Sequence, residues 1–227
     1  ALLVQISNST RQVGRAEEAV QGYRAAVTAA KAGGASRIEA FALIGLALST
    51  LEARQPTAEV EDALARAKSL LGADVNDPRH PAGASWLLAQ GLLWHGRGET
   101  PKALALLDTA AQTLAAQARP GPAFVNILVV RGSIRSEAGR HAEAQQDLEE
   151  ALSQARRLPA MGPAMRPHSS HVGRAALALA EHHARVGQVQ AAQRRAEEAV
   201  QALAPSVGQD SPWVEQARRL ALSPAGT

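Results

Sequence analysis

The sequence predicts an all-α fold, an array of about five helical hairpins followed by one closing helix, and three observations predict it. A short motif returns five times along the 227 residues. The composition is that of closely packed helices, 46% apolar and dominated by alanine and leucine, yet only 3% aromatic. The 12 prolines and 18 glycines fall mostly between apolar-periodic segments, as at Gly33-Gly34, Pro78, Pro81 and Pro120-Gly121-Pro122, where they punctuate helices and do not suggest sheet.

The motif sets a common frame. Gly14-Arg15-Ala16-Glu17-Glu18-Ala19 is echoed by Gly139-Arg140-His141-Ala142-Glu143-Ala144, by Gly98-Glu99-Thr100-Pro101-Lys102-Ala103 and by Gly187-Gln188-Val189-Gln190-Ala191-Ala192. Gln55-Pro56-Thr57-Ala58-Glu59-Val60 is a degenerate fifth copy, with Gln55 in the glycine's place and proline near the helix start, where its missing N–H costs nothing. Seven residues beyond each copy stands an alanine, Ala26, Ala67, Ala110, Ala151 and Ala199, at spacings of 41, 43, 41 and 48. Between the two small residues sits a larger one, Tyr23, Leu64, Leu107 or Leu148, with Ala196 the exception. Small, large and small at i, i+4 and i+7 share one helical stripe.

Upstream of each motif lies another helix with apolar periodicity, such as Phe41 to Leu48 or Trp86 to Trp94. Small residues in these first helices, Ala47, Gly91, Gly132 and Ala180, let the second helix approach closely, and the motif glycine permits the turn between them. In chain order the hairpins are expected at about 1–32, 36–72, 80–118, 121–158 and 168–204, in one array over 1–227. The closing helix is expected at 212–222, with Trp213, Ala217 and Leu220 packed inward and Glu215, Arg218 and Arg219 in water, as a terminal cap requires. The first hairpin shows no comparable cap. The stretch from Leu158 to Pro167 absorbs the longest spacing and reads as an irregular connection.

The triads Ala19/Tyr23/Ala26, Ala103/Leu107/Ala110 and Ala144/Leu148/Ala151 resemble the tetratricopeptide (TPR) pattern over nearly the whole chain. That resemblance implies a right-handed superhelical solenoid whose first helices line a concave groove. The period is longer than the common 34 residues, and in this the chain is similar to the long repeats of kinesin light chains and of bacterial signalling proteins. Asp77-Pro78-Arg79-His80-Pro81 looks like the acidic-His-Pro connectors of that group. A further likeness is to the C-terminal TPR arrays of bacterial serine/threonine protein kinases, carried by the final segment Ser211 to Leu220.

Carried over onto this frame, the resemblance implies a partner-binding groove formed by Asn8, Arg11 and Gln12, Ser49 and Glu52, Ser85 and His95, Asn126, Ser133, Ser136 and Glu137, and Arg174, Glu181 and Arg185. Val4 stands where carboxylate-gripping members carry a lysine, which argues against a chaperone-tail ligand. Trp86, Trp94, Phe41 and Phe124 suit the core between hairpins better than a partner surface.

Other chemistries find little support. Net charge is +3, but basic residues alternate with acids, as in Arg194-Arg195-Ala196-Glu197-Glu198, which describes a solvated face and not a nucleic-acid stripe. Cysteine is absent, so no disulfide or thiolate metal site exists and the compartment is open. No apolar run approaches the roughly 18 residues a membrane span needs. A zinc site would have to draw on His168, His171 and His182 or His183, but no carboxylate lies within the first pair's segment and no cysteine completes a set. Adjacent carboxylates such as Glu17-Glu18 and Glu149-Glu150 diverge on a helix and cannot face one substrate. No phosphate loop, nucleophile elbow or His-Glu-x-x-His pattern appears, so this segment is expected to be no enzyme and to need no cofactor. Since Ala1 falls inside an apolar-periodic stretch, the segment reads as cut from a longer protein. The expected role is a scaffold binding a protein or peptide. The alternatives are a sensory or regulatory domain of a signalling enzyme, such as a kinase encoded upstream, and self-association through the uncapped first hairpin.

Overall fold

Each hairpin is closed by the same backbone device. Five first helices end where one residue takes a left-handed conformation, at Gly14, Arg54, Gly98, Gly139 and Gly187. The N–H after it then bonds a carbonyl five residues back: Arg15 to Thr10, Gln55 to Thr50, Glu99 to Trp94, Arg140 to Arg135 and Gln188 to His183, at 2.8 to 3.2 Å. This closure satisfies a carbonyl the helix end would leave orphaned and, in four of the five hairpins, reverses the chain in three residues. In the second hairpin the left-handed residue is Arg54 (φ 53°) and not Gln55, so the turn there is one residue longer than the motif alignment implied.

The computed structural model describes residues 1–55, 58–158 and 169–223. Among these the helices are α1 (Leu2–Gln12) and α2 (Ala16–Ala32), α3 (Ser36–Glu52) and α4 (Ala58–Leu71), α5 (Pro81–Gly96) and α6 (Thr100–Ala115), α7 (Pro122–Glu137) and α8 (His141–Arg157), α9 (Ser170–Arg185) and α10 (Val189–Val207), then α11 (Pro212–Ala221). A 3₁₀ turn, Gly72–Asn76, follows α4, and no strand occurs among the described residues. Pro56-Thr57, the connection from Pro159 onward and His168 lie outside them. No described helix is long and apolar enough to cross a membrane.

The chain forms two compact units, Ala1–Leu114 and Ala115–Thr227. In the first, α2 packs on α1 and α3, and α4 on α3. Tyr23 is fully buried, with its ring over Gly45 of α3, where an added Cβ would collide with the ring. The connector into α5 is buried at Val75 and Pro78, and Gly83 lets it lie against the start of that helix. His80 caps α5 by accepting from the Ala82 N–H at 3.3 Å, and the Trp86 indole donates to the Leu64 carbonyl at 3.1 Å. Trp86 and Phe124 are core residues, whereas Phe41 and Trp94 are half-buried.

In the second unit α7 pairs with α8, α9 packs on α8 and α10, and α11 on α10 and α9. Leu148 crosses α7 at Gly132, where a Cβ would lie 2.7 Å from the Leu148 Cγ. The last hairpin lacks a large residue at Ala196; Leu203 instead crosses α9 at Gly173. Ser211 caps α11 by accepting from the Trp213 N–H. The inward residues of α11 are Val214 and Ala217, both fully buried, while Trp213 and Leu220 are half-buried at its sides, a rotation of the expected face by one residue. Beneath the α7–α8 pair, buried Asp147 accepts from Arg131 Nε at 2.9 Å and from Arg135 at 2.8 Å.

Two substitutions test this packing by urea unfolding followed with far-ultraviolet circular dichroism. Gly132→Ala gains about 1 kcal/mol of helix propensity but overpacks against Leu148 at a cost of about 1–3 kcal/mol, so it destabilises. Gly91→Ala, whose nearest neighbour is Leu107 Cγ at 3.1 Å, needs only a small adjustment and costs less. Arg54 is exposed, and its left-handed backbone costs about 1–2 kcal/mol in a residue with a Cβ. Arg54→Gly is therefore expected to raise stability by roughly 0.5–1 kcal/mol after glycine's own entropy cost; no gain would contradict the strain.

Candidate functional site

The left-handed turn residue supplies a ruler for the first helices. Counting back thirteen, six and two residues from it gives a single stripe along each helix. On that stripe lie Asn8 and Gln12 in α1, Glu52 in α3, Ser85 in α5, Asn126, Ser133 and Glu137 in α7, and Arg174, Glu181 and Arg185 in α9. All are exposed or half-exposed, because one flank of each first helix packs on its own second helix and the other on a neighbouring hairpin. The stripe's last position, Gln12, Glu52, Gly96, Glu137 and Arg185, is exposed in every hairpin.

Four other expected groove residues sit off this line. Ser49 is fully buried, at the register of Leu93, Ile134 and His182, which are buried as well, so it offers no surface to a partner. Ser136 is also buried, and its Oγ lies 2.8 Å from His182 Nδ1 in α9. His95 bonds Thr100 across its own turn at 3.0 Å. Arg11, at the same register as His95 and Ser136, reaches Glu52 of the next hairpin at 2.9 Å.

Within the first unit, Asn8 accepts from the Tyr23 hydroxyl at 2.5 Å, while Arg11 pairs with Glu52. Burial pushes the Tyr23 phenol above its ordinary value even though Arg11 stands beside it. In the second unit Glu137 and Arg185 lie 3.8 Å apart on neighbouring first helices. The Arg174 guanidinium stacks over Trp213, 4.8 Å from the ring centroid, and Glu181 accepts from Gln216. The expected groove residues thus connect successive helices as well as facing outward, contacts that no local pattern in the sequence pairs.

Histidines gather at one place in the second unit. His182 is buried, with the rings of His141 of α8 and His183 of α9 each 5.8 Å away, and His183 bonds Gln188 at 2.7 Å. Burial first, then His183, His141 and Arg185, hold the His182 imidazole below its ordinary value, opposed by Glu149. His171 is lowered too, by burial and by Arg174. Among the described residues no three histidines, aspartates or glutamates come together as metal ligands.

Over this geometry, comparison with solved structures finds two forms of one Podosopora anserina protein, assigned as a kinesin light chain with nearly identical TPR-like repeats. A point variant of it matches with TM-score 0.55 and the other form with 0.53, each at 18% identity over 90% of this chain and 94% of that one. The fold is TPR-like. No family model and no curated protein matches the sequence.

A TPR-like unit with a lowered histidine between its hairpins acquires an acid dependence. Between the ordinary histidine value of 6.5 and the lower folded value, the unfolded chain binds a proton that folded His182 refuses. Stability is therefore fully present above about pH 6.5 and falls as pH drops below it. Urea midpoints at about pH 7.5 and pH 5 are expected to differ more for the unmodified chain than for His182→Gln. Equal losses in both would show that other groups set the dependence.

Proposed function

We propose that the first-helix stripe is a binding groove for an extended or helical peptide of a protein partner, and that the chain is an interaction scaffold. One observation carries this reading: the last stripe position, Gln12, Glu52, Gly96, Glu137 and Arg185, is exposed in every hairpin with both signs of charge, and in the second unit the stripe is polar throughout, at Asn126, Ser133 and Glu137 of α7 and Arg174, Glu181 and Arg185 of α9. The fold adds support, since TPR-like repeats generally mediate protein–protein interaction and stacked repeats bind on extended first-helix surfaces.

Magnitudes favour a groove that opens to a ligand without loss of the fold. An exposed ion pair such as Glu137–Arg185 contributes at most about 1 kcal/mol, so a peptide carboxylate or ammonium exchanges with it at little cost. Breaking the buried Arg131–Asp147–Arg135 cluster costs about 3–5 kcal/mol, which keeps it out of reach of ligands. Within each unit the repeated crossings hold the stripe rigid, so a ligand loses freedom while the receptor loses little.

Panning phage-displayed peptides on the intact chain supplies a ligand, whose affinity is then measured by fluorescence anisotropy. Asn126→Ala, Arg174→Ala and Arg185→Glu are each expected to weaken it about fivefold, or roughly 1 kcal/mol, with little change in melting temperature. Affinity unchanged in all three variants would remove the groove from consideration.

A further inference from the structure

Leucine stands at the same place on two neighbouring first helices and meets water differently on each. Six residues before the left-handed turn residue, α3 has Leu48 and α5 has Leu92. Leu48 is 5% exposed, whereas Leu92 is only half-buried. One turn further along, at the last position of the stripe, α3 has Glu52 and α5 has Gly96. A helical side chain leans towards the N-terminus and covers the surface one turn before its own Cα. Glu52 is placed to cover Leu48, and Gly96 has no side chain to lay over Leu92.

The fold does not require glycine here. Gly96 closes α5 with a helical backbone, and a Cβ added to it would meet no described atom within 4 Å. Glycine is also the poorer helix former, and the other four hairpins carry Gln12, Glu52, Glu137 and Arg185 at this position. The result is a notch in the stripe with Leu92 as its floor. On α3, which packs beside α5, the Glu52 carboxylate is already held by Arg11 at 2.9 Å.

We infer that this notch takes a leucine- or methionine-sized side chain from the peptide bound along the stripe, which makes Gly96 a specificity-determining residue. The inference rests on the groove reading above and narrows the ligand to a peptide with an aliphatic anchor. Size follows from the missing group, because the space left open is that of one glutamine- or glutamate-sized side chain, which leucine and methionine match. Chemistry follows from the floor. An aliphatic group laid on Leu92 removes apolar surface from water on both sides, whereas a charge buried there would lose its hydration without a partner.

The test pans phage-displayed peptides in parallel on the intact chain and on Gly96→Gln, which installs the side chain of Gln12. Leucine or methionine is expected to be enriched at one peptide position on the unmodified chain and not on the variant. For a peptide selected on the unmodified chain, fluorescence anisotropy is expected to show affinity falling about tenfold in Gly96→Gln and about twofold in Gly96→Ala. Both variants keep or raise the melting temperature. Alanine at the enriched peptide position is expected to cost about tenfold on the unmodified chain and under about twofold on Gly96→Gln, since both changes remove one contact. Losses that multiply, an unchanged affinity in Gly96→Gln, or enrichment of charged residues at that position overturns the proposal. If Arg174→Ala and Arg185→Glu weaken the peptide while Gly96→Gln does not, the notch fails and the groove stands. If none of the three weakens it, or no binder is selected, the groove fails and the notch with it.

Discussion

The crossing of a first helix by its second, at a point where one side contributes almost no side chain, is the contact on which the rest depends. Gly132 under Leu148, Gly91 under Leu107 and Gly173 under Leu203 are versions of it. Close approach brings the flanking apolar residues within contact, and each buried large side chain contributes about 1.5–3 kcal/mol. Once a first helix has one flank in this crossing and the other against a neighbouring hairpin, only a narrow line faces water. The accessible stripe of polar residues is thus a by-product of how the hairpins close.

Charge is divided by depth. Asp147 is nearly buried and shared by Arg131 and Arg135, so its carboxylate retains partners on the first helix of its own hairpin. Glu137, Arg185, Arg11 and Glu52 lie nearer to solvent and pair between hairpins. The deep cluster orients α7 against α8, while the shallow pairs link one hairpin to the next. His182 belongs to neither class: it is a neutral, buried bridge from α9 to Ser136 of α7, which makes that junction sensitive to acid.

Much of this is legible in the sequence because helical hairpins advertise themselves through a single period. The turn glycines, the small residues at the crossings and the helix-breaking prolines are local signals, and the all-α TPR-like fold follows from them. The differences arise where one residue changes the angular register by about 100°. Arg54 and not Gln55 makes the second turn, because an extra loop residue leaves no mark on composition. Ser49 lies a fraction of a turn into the core and not on the accessible stripe, and Val214 displaces Trp213 on the inner side of α11 for the same reason. Gly173, Asp147 and the His182–Ser136 bond escape a sequence reading, since their roles exist only through residues on another helix. The partner's identity has no local signature at all.

The order of contacts bears on how the chain comes to be folded in the first place. Within each unit helices pack on those next to them or one further along in sequence, α2 on α1 and α3, α5 on α3, α8 on α7, α10 on α9 and α11. No early helix waits for a distant late one, so the entropy lost in closing each contact is that of a short loop. During synthesis a hairpin can bury its crossing soon after its second helix leaves the ribosome, and the next hairpin then condenses on an existing surface. Vectorial growth of this kind keeps the apolar flank exposed at any moment to about one hairpin's worth, which limits aggregation of the nascent chain.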